Sequence, residues 1–109
     1  KSGPLVVLSS NFEEYAHNYP NPFSAGASQT RIAYFLDTPA SVSLKIYAMT
    51  GDLVHEENIP SGDPPAQSGP QETTWDGRND KGEVVRNGVY VCVLNAGGKS
   101  AKIRIAVAK

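Results

Sequence analysis

Apolar and polar residues alternate along two stretches of the chain, and this period of two most constrains the fold. Residues 42–47 (VSLKIY) place apolar side chains at positions 42, 44 and 46, with Ser43 and Lys45 between them. Residues 102–107 (KIRIAV) repeat the pattern, with cations at two of the intervening positions. Successive side chains of a β-strand point to opposite faces, so each stretch predicts a half-buried strand. No segment shows a 3.6-residue apolar stripe of helical length, which indicates an all-β protein.

Further short runs rich in β-branched and aromatic residues predict additional strands. They are residues 30–36 (TRIAYFL), 52–58 (DLVHEEN), 71–75 (QETTW) and 88–95 (GVYVCVLN), with residues 5–8 as a candidate seventh strand. Turn signals rich in Asp, Asn, Gly and Pro separate the runs. Short strands without a helix to cover them predict an Ig-like antiparallel β-sandwich of about seven strands, with a barrel as the alternative. The Pro-rich loop at 59–70 (IPSGDPPAQSGP) is expected to connect one sheet to the other.

Size and charge exclude several classes of function. The chain has 109 residues, enough for one domain, and its formal net charge is −1, so neither nucleic acid nor an anionic membrane is an expected partner. Its longest apolar runs are only as long as a β-strand, so we predict that no segment spans a membrane. Cys92 is the single cysteine, so no intramolecular disulfide forms, and its apolar surroundings predict a buried small hydrophobe. The start at Lys1, with no initiator Met and no signal-peptide pattern, suggests a piece of a longer protein.

The chain lacks a recognisable catalytic or metal-binding constellation. His17 and His55 lie on different predicted elements and have no second ligand at zinc spacing. Nucleophile elbows, phosphate loops and dinucleotide fingerprints are also missing, so we predict a non-catalytic protein without cofactor or metal. The alternative is Ca²⁺ at residues 76–80, where Asp76, Asn79 and Asp80 offer oxygens. A hairpin turn is the simpler interpretation, because Arg78 sits between them.

Residues 19–23 (YPNPF) must form a rigid extended or turned segment, because two prolines two residues apart exclude a helix or a central strand. We expect this YPNPF segment to lead into the first sandwich strand, with Tyr19 and Phe23 closing one end of a core that contains Trp75. The isomer of the Tyr19-Pro20 bond stays open at this stage.

Five motifs in one order resemble a known module: NYPNPF at 18–23, VSLKIY at 42–47 with Gly51, TWDGR at 74–78, NGVY at 87–90, and a basic last strand closing on Lys109. The chain resembles the Ig-like domain of the flagellar hook-capping protein family. It is more closely similar to the C-terminal sorting domain of proteins exported by the type IX secretion system. The resemblance covers about residues 15–109 and implies an Ig-like domain there, with residues 1–14 as a linker or first edge strand.

The resemblance implies a non-catalytic C-terminal module of a larger secreted or cell-surface protein, exported through the periplasm. Its implied partners are the outer-membrane secretion machinery and a covalently linked N-terminal passenger, and the isolated domain is expected to be a monomer. The implied sorting or recognition residues are Gly88 and Tyr90 of the G-V-Y motif, together with Lys102 and Lys109 of the last strand.

Other roles stay open from the sequence. A last strand at a sheet edge can pair with a partner strand, but edge cations such as Lys102 and Arg104 also block unwanted pairing. An adhesive or structural Ig-like spacer, or a carbohydrate-binding accessory domain, is the alternative function. Carbohydrate binding would need a row of exposed aromatic side chains, and Tyr34, Tyr47 and Tyr90 lie on different predicted strands.

Overall fold

The computed structural model describes residues 12 and 15–109. Seven strands follow one another along this part of the chain: β1 (His17–Tyr19), β2 (Thr30–Leu36), β3 (Val42–Ala48), β4 (Leu53–Ile59), β5 (Gly69–Trp75), β6 (Gly88–Ala96) and β7 (Lys99–Val107). They form two antiparallel sheets with the orders β1-β2-β5 and β4-β3-β6-β7. The sandwich prediction is therefore confirmed, and the barrel alternative is wrong. Among the described residues, no helix has the length and apolar character needed to cross a membrane.

The alternating pattern sets the inward face of each strand. In β3, Val42, Leu44 and Ile46 are buried, whereas Ser43 and Lys45 are only partly covered. In β7 the odd-numbered residues from Ala101 to Val107 are buried, and Lys102 and Arg104 are exposed. The two inward faces meet in a single apolar core that Trp75 and Cys92 also join. Burial of apolar area between two sheets is the main stabilising contribution that such a pattern can make.

The observed strand boundaries differ from the predicted ones by at most a few residues. Strand β4 begins one residue late and ends at Ile59, and β5 begins at Gly69, so the Pro-rich loop is shorter at both ends than predicted. Pro70 is tolerated in β5 because β5 is an edge strand, where a missing N–H breaks no ladder. The loop does cross from one sheet to the other. The candidate strand at residues 5–8 lies outside the described residues, and the seventh strand is β1.

The expected burial of the YPNPF segment is half correct. Phe23 is buried and its ring meets Trp75 edge-on, with centroids 5.7 Å apart. Tyr19 was expected in the core, but 40% of it is exposed. The correction has a simple cause: Tyr19 belongs to the edge strand β1 and projects from the outer face of its sheet, where its hydroxyl donates to the Glu72 carboxylate. The Tyr19-Pro20 and Asn21-Pro22 bonds are both cis.

Candidate recognition surface

All four residues implied by the resemblance belong to one β-hairpin or to its C-terminal end. In the register of β6 and β7, Gly88 faces Val107, Tyr90 faces Ile105 and Val93 faces Lys102. Lys109 lies two residues beyond the end of β7, and its N–H donates to Asn87 Oδ1 at 3.0 Å. The hairpin therefore groups Gly88 and Lys109 at one end of the sandwich.

Tyr90 is part of the core rather than of the surface. Only 7% of the residue is exposed, and its ring contacts Trp75 edge-on at a centroid distance of 5.7 Å. Its hydroxyl donates to the Arg86 carbonyl at 2.7 Å, and burial raises the pKa of the phenol. Tyr90 can thus act on a partner mainly by fixing the hairpin that presents its neighbours.

Lys102 lies away from Gly88 and Lys109. Lys102 and Lys109 are seven positions apart along an extended chain, a span of about 23 Å. Lys102 and Arg104 project from the outer face of the four-stranded sheet, next to the half-buried Val91 and Val93 of β6. Neither cation forms an ion pair with any described residue. Their charges are therefore available to an acidic partner.

The YPNPF segment covers part of the outer edge of β7. The Asn21 side chain bonds that edge twice: its Nδ2 donates to the Arg104 carbonyl at 3.1 Å, and its Oδ1 accepts from Ala106 N–H at 2.8 Å. Phe23 continues the pairing through its backbone, with N–H to Ala106 at 3.1 Å and C=O to Ala108 at 3.0 Å. Sheet edges with unpaired backbone groups invite strand addition, and here one end of the edge is occupied from within the chain.

Within the described part of the chain, no residue covers the remaining part of that edge. Strand alternation directs the N–H and C=O of Lys102 away from β6, as it does those of Ala106. No described backbone or side-chain group bonds to them. The backbone of β7 near Lys102 can therefore accept an added strand, and the Lys102 and Arg104 side chains would flank it.

Substituting Asn21 tests how firmly this edge is held. We expect Asn21→Ala to lower the free energy of unfolding by about 1–2 kcal/mol, because two partly exposed hydrogen bonds are lost. Amide exchange should accelerate at Ala106, whose N–H loses its acceptor, and stay unchanged at Tyr90. Hydrogen-exchange NMR measures both sites. Unchanged protection of Ala106 would contradict the assigned contact.

The residues considered for Ca²⁺ make hydrogen bonds of a turn. Asp76 Oδ1 accepts from Arg78 N–H at 3.1 Å, and Asn79 Oδ1 accepts from the N–H groups of Lys81 and Glu83 at 2.9 Å each. Asp80 instead bonds His55 Nδ1 at 2.7 Å. The three oxygens serve separate partners, and the described part of the chain contains no group of three or more potential His, Cys, Asp or Glu ligands.

Cys92 is fully buried among apolar side chains, as predicted. Burial raises the pKa of its thiol to about 12, because the thiolate would lose its hydration. The reactive form of a cysteine is the thiolate, so Cys92 is poorly suited to nucleophilic or redox chemistry in the folded domain.

The sequence reasoning missed a group of aromatic side chains on the three-stranded sheet. Tyr34 on β2 and Tyr90 on β6, which were considered for carbohydrate binding, are buried. The exposed group consists of Tyr15, His17 and Tyr19. Their spacing, rings at every second position from 15 to 19, was a signal in the sequence.

Comparison with known proteins places this architecture in a family. The chain matches the FlgD Ig-like domain over residues 20–100. It is similar over 93% of its length to PorZ, a bacterial surface component of the type IX secretion system of Porphyromonas gingivalis, with 27% identity and a TM-score of 0.65. PorU from the same organism, in a dimeric latent form, matches 85% of the chain at 23% identity with a TM-score of 0.60. FlgD from P. aeruginosa matches 84% at 16% identity, with a TM-score of 0.53. No curated protein matches the sequence.

The chain is much shorter than two of the proteins that it resembles. The chain spans 12% of PorZ, 9% of PorU and 67% of the FlgD structure, so the likeness to the first two concerns one domain of each. The fold and the aromatic core define an Ig-like β-sandwich domain. The chain belongs to the FlgD Ig-like domain family, as the match over residues 20–100 shows.

Proposed function

We propose that the chain is a non-catalytic C-terminal Ig-like module, comprising residues 15–109, of a larger protein exported by a type IX secretion system. In this role the module is the sorting and surface-anchoring signal. The domain-sized similarity to PorZ at 27% identity carries the proposal, because PorZ is a surface component of that system. Residues 1–14 would then be a linker or first edge strand, leading from an N-terminal passenger.

The last two strands offer the means of recognition. Lys102 and Arg104 present unpaired cations beside an open stretch of strand edge. Gly88 and Lys109 lie near the same end of this hairpin, where Lys109 N–H donates to Asn87. An added strand takes its affinity from backbone hydrogen bonds and its specificity from alternate side chains. The outer-membrane export machinery would pair with this edge, while Tyr90 fixes the hairpin from inside.

Export of a fusion protein tests the proposal. A periplasm-directed fluorescent reporter joined to residues 1–109 should reach the surface of a bacterium with a functional type IX system and stay inside a strain lacking it. Lys102→Glu and Lys109→Glu should each reduce delivery about threefold, and together about tenfold, because an edge contact with an acidic partner becomes repulsive. Lys81→Glu is the matched control, since it reverses an exposed cation on a distant turn and should leave delivery unchanged.

The result separates the two classes of function that the fold allows. Equal surface delivery in both strains would contradict the sorting role and leave a structural or adhesive module. Equal loss in the control variant would assign the effect to net charge rather than to β7. Melting temperatures of the purified variants establish that each one is folded.

A further inference from the structure

Residues 88–109, which comprise β6, β7 and the end of the chain, contain four cations and no Asp or Glu. The cations are Lys99, Lys102, Arg104 and Lys109. Lys99 forms an ion pair with Asp37 at 2.8 Å, which compensates the charge at the start of β7. Lys102 and Arg104 have no carboxylate within ion-pair distance among the described residues. The middle of β7 therefore carries a local positive charge that a negatively charged partner would neutralise.

Strand β7 presents its even-numbered backbone groups on its outer edge. Ala106 establishes this alternation, because its N–H and C=O bond the YPNPF segment and not β6. The N–H and C=O of Ser100 and Lys102 and the N–H of Arg104 point the same way, and no group in the described part of the chain bonds them. We call these five backbone groups the 100–104 edge. They form a ready template for an added strand.

Asn21 sets the length of the strand that the 100–104 edge can take. Its side-chain amide donates to the Arg104 carbonyl and accepts from the Ala106 N–H, as the N–H and C=O of one residue in a neighbouring parallel strand would do. The edge beyond Arg104 is therefore already occupied. An added strand has room opposite about five residues, which suits a short extended peptide segment.

We propose that the 100–104 edge binds a short peptide strand in which acidic and apolar residues alternate. The acidic side chains would lie on the outer face beside Lys102 and Arg104, where opposite charges on neighbouring strands attract. The apolar side chains would lie on the inner face, beside the buried Ala101 and Ile103. This ligand class rests on the recognition role proposed above, and binding can be measured without export.

Titration of the 109-residue chain with acetyl-Val-Glu-Val-Glu-Val-amide, followed by NMR, tests the ligand class. Amide exchange should slow at Lys102 and Arg104, because their N–H groups gain acceptors. It should stay unchanged at Ile103, whose N–H faces β6, and at Ala106, whose N–H already bonds Asn21. This alternation distinguishes strand addition from a general attraction between the peptide and the basic hairpin.

Matched peptides and variants separate charge from backbone pairing. Val-Gln-Val-Gln-Val, with the same end groups, should bind about fivefold more weakly, because it keeps the strand and loses the charges. A fully N-methylated acidic peptide should not bind detectably, because it cannot donate to the edge carbonyls. Lys102→Glu should weaken binding of the acidic peptide about fivefold, whereas Lys81→Glu on the distant turn should leave the affinity unchanged. Melting temperatures of both variants establish that they are folded.

Several results would overturn the proposal. Equal affinity of the Gln peptide would contradict the acidic ligand, and equal affinity of the N-methylated peptide would contradict strand addition. Slow exchange at Lys102 and Arg104 without peptide would mean that another part of the chain or a second copy occupies the edge. If the peptide does not bind but Lys102→Glu still blocks delivery, the ligand class fails and the sorting role stands. If the peptide binds as expected and delivery is unaffected, the sorting role fails and the ligand class stands.

Discussion

Replacing Trp75 with alanine should lower the free energy of unfolding by about 3–5 kcal/mol, the usual cost of deleting a large buried aromatic side chain. Trp75 is 2% exposed and lies between Phe23 and Tyr90, meeting both rings edge-on at centroid distances of 5.7 Å. Its Nε1 donates to the Arg78 carbonyl at 2.9 Å, which ties the following turn to the core. The substitution thus leaves a cavity and removes two aromatic contacts.

Urea unfolding followed by far-UV circular dichroism measures this effect, because Trp75 is the only tryptophan and its loss removes the fluorescence probe. Trp75→Phe retains a ring between Phe23 and Tyr90 and loses the hydrogen bond, so a smaller loss of about 1–2 kcal/mol is expected. Met49→Ala, on an exposed side chain, should change stability by no more than about 0.5 kcal/mol. A loss below about 1 kcal/mol for Trp75→Ala would contradict the central place of this residue in the core.

Gly77→Ala should destabilise the domain by about 3–4 kcal/mol, the sum of a backbone and a steric contribution. Gly77 has φ +80°, where a side chain is strained. A Cβ placed there would stand 2.2 Å from Ala25 Cβ and 2.7 Å from Ala25 Cα. Relief requires backbone movement, because Ala25 is itself buried and the adjacent Gly26 N–H is bonded to the Asp76 carbonyl at 2.9 Å.

Gly82→Ala separates the two contributions. Gly82 has φ +86° but nothing within 4 Å of the position of a Cβ, so it should lose only the backbone part, about 1–2 kcal/mol. The difference between the unfolding free energies of the two variants, measured by chemical denaturation, is the cost of the clash with Ala25. Equal losses would mean that the turn relaxes freely and that its contact with the segment after Phe23 contributes little.

Both predictions concern motifs that are distant in sequence and adjacent in space. Phe23 of the YPNPF segment, Trp75 and Gly77 of the WDG turn, and Tyr90 of the GVY strand meet at one end of the sandwich. Packing at this end of the sandwich therefore explains why the YPNPF, WDG and GVY motifs occur together in one chain. The recognition role that we propose falls on positions that the core does not need, above all Lys102, Arg104 and Lys109.

Several strands could be predicted from the sequence because their alternation is a local property. In β3 and β7 the alternating residues Val42, Leu44, Ile46, Ile103, Ile105 and Val107 are buried, and the predicted bounds are close to the observed ones. The prediction was wrong for Tyr19 because an aromatic beside two prolines can close a core or stand on a surface. The outcome depends on which face of β1 turns inward.

The sequence by itself determined two packed antiparallel layers, since a period of two leaves each strand with one apolar face that only another layer can bury. It also placed Cys92 inside, because its sequence neighbours are apolar, and Trp75, because this large ring ends a predicted strand directly before a turn. Only the tertiary structure decided which strands became edges, and that Asn21 covers the β7 edge through a bond to a residue 83 positions away. Only the tertiary structure, too, placed Arg31 and Glu72 beside Tyr19. Such contacts depend on the register and order of strands, which arise from the packing of the whole chain and not from any local pattern.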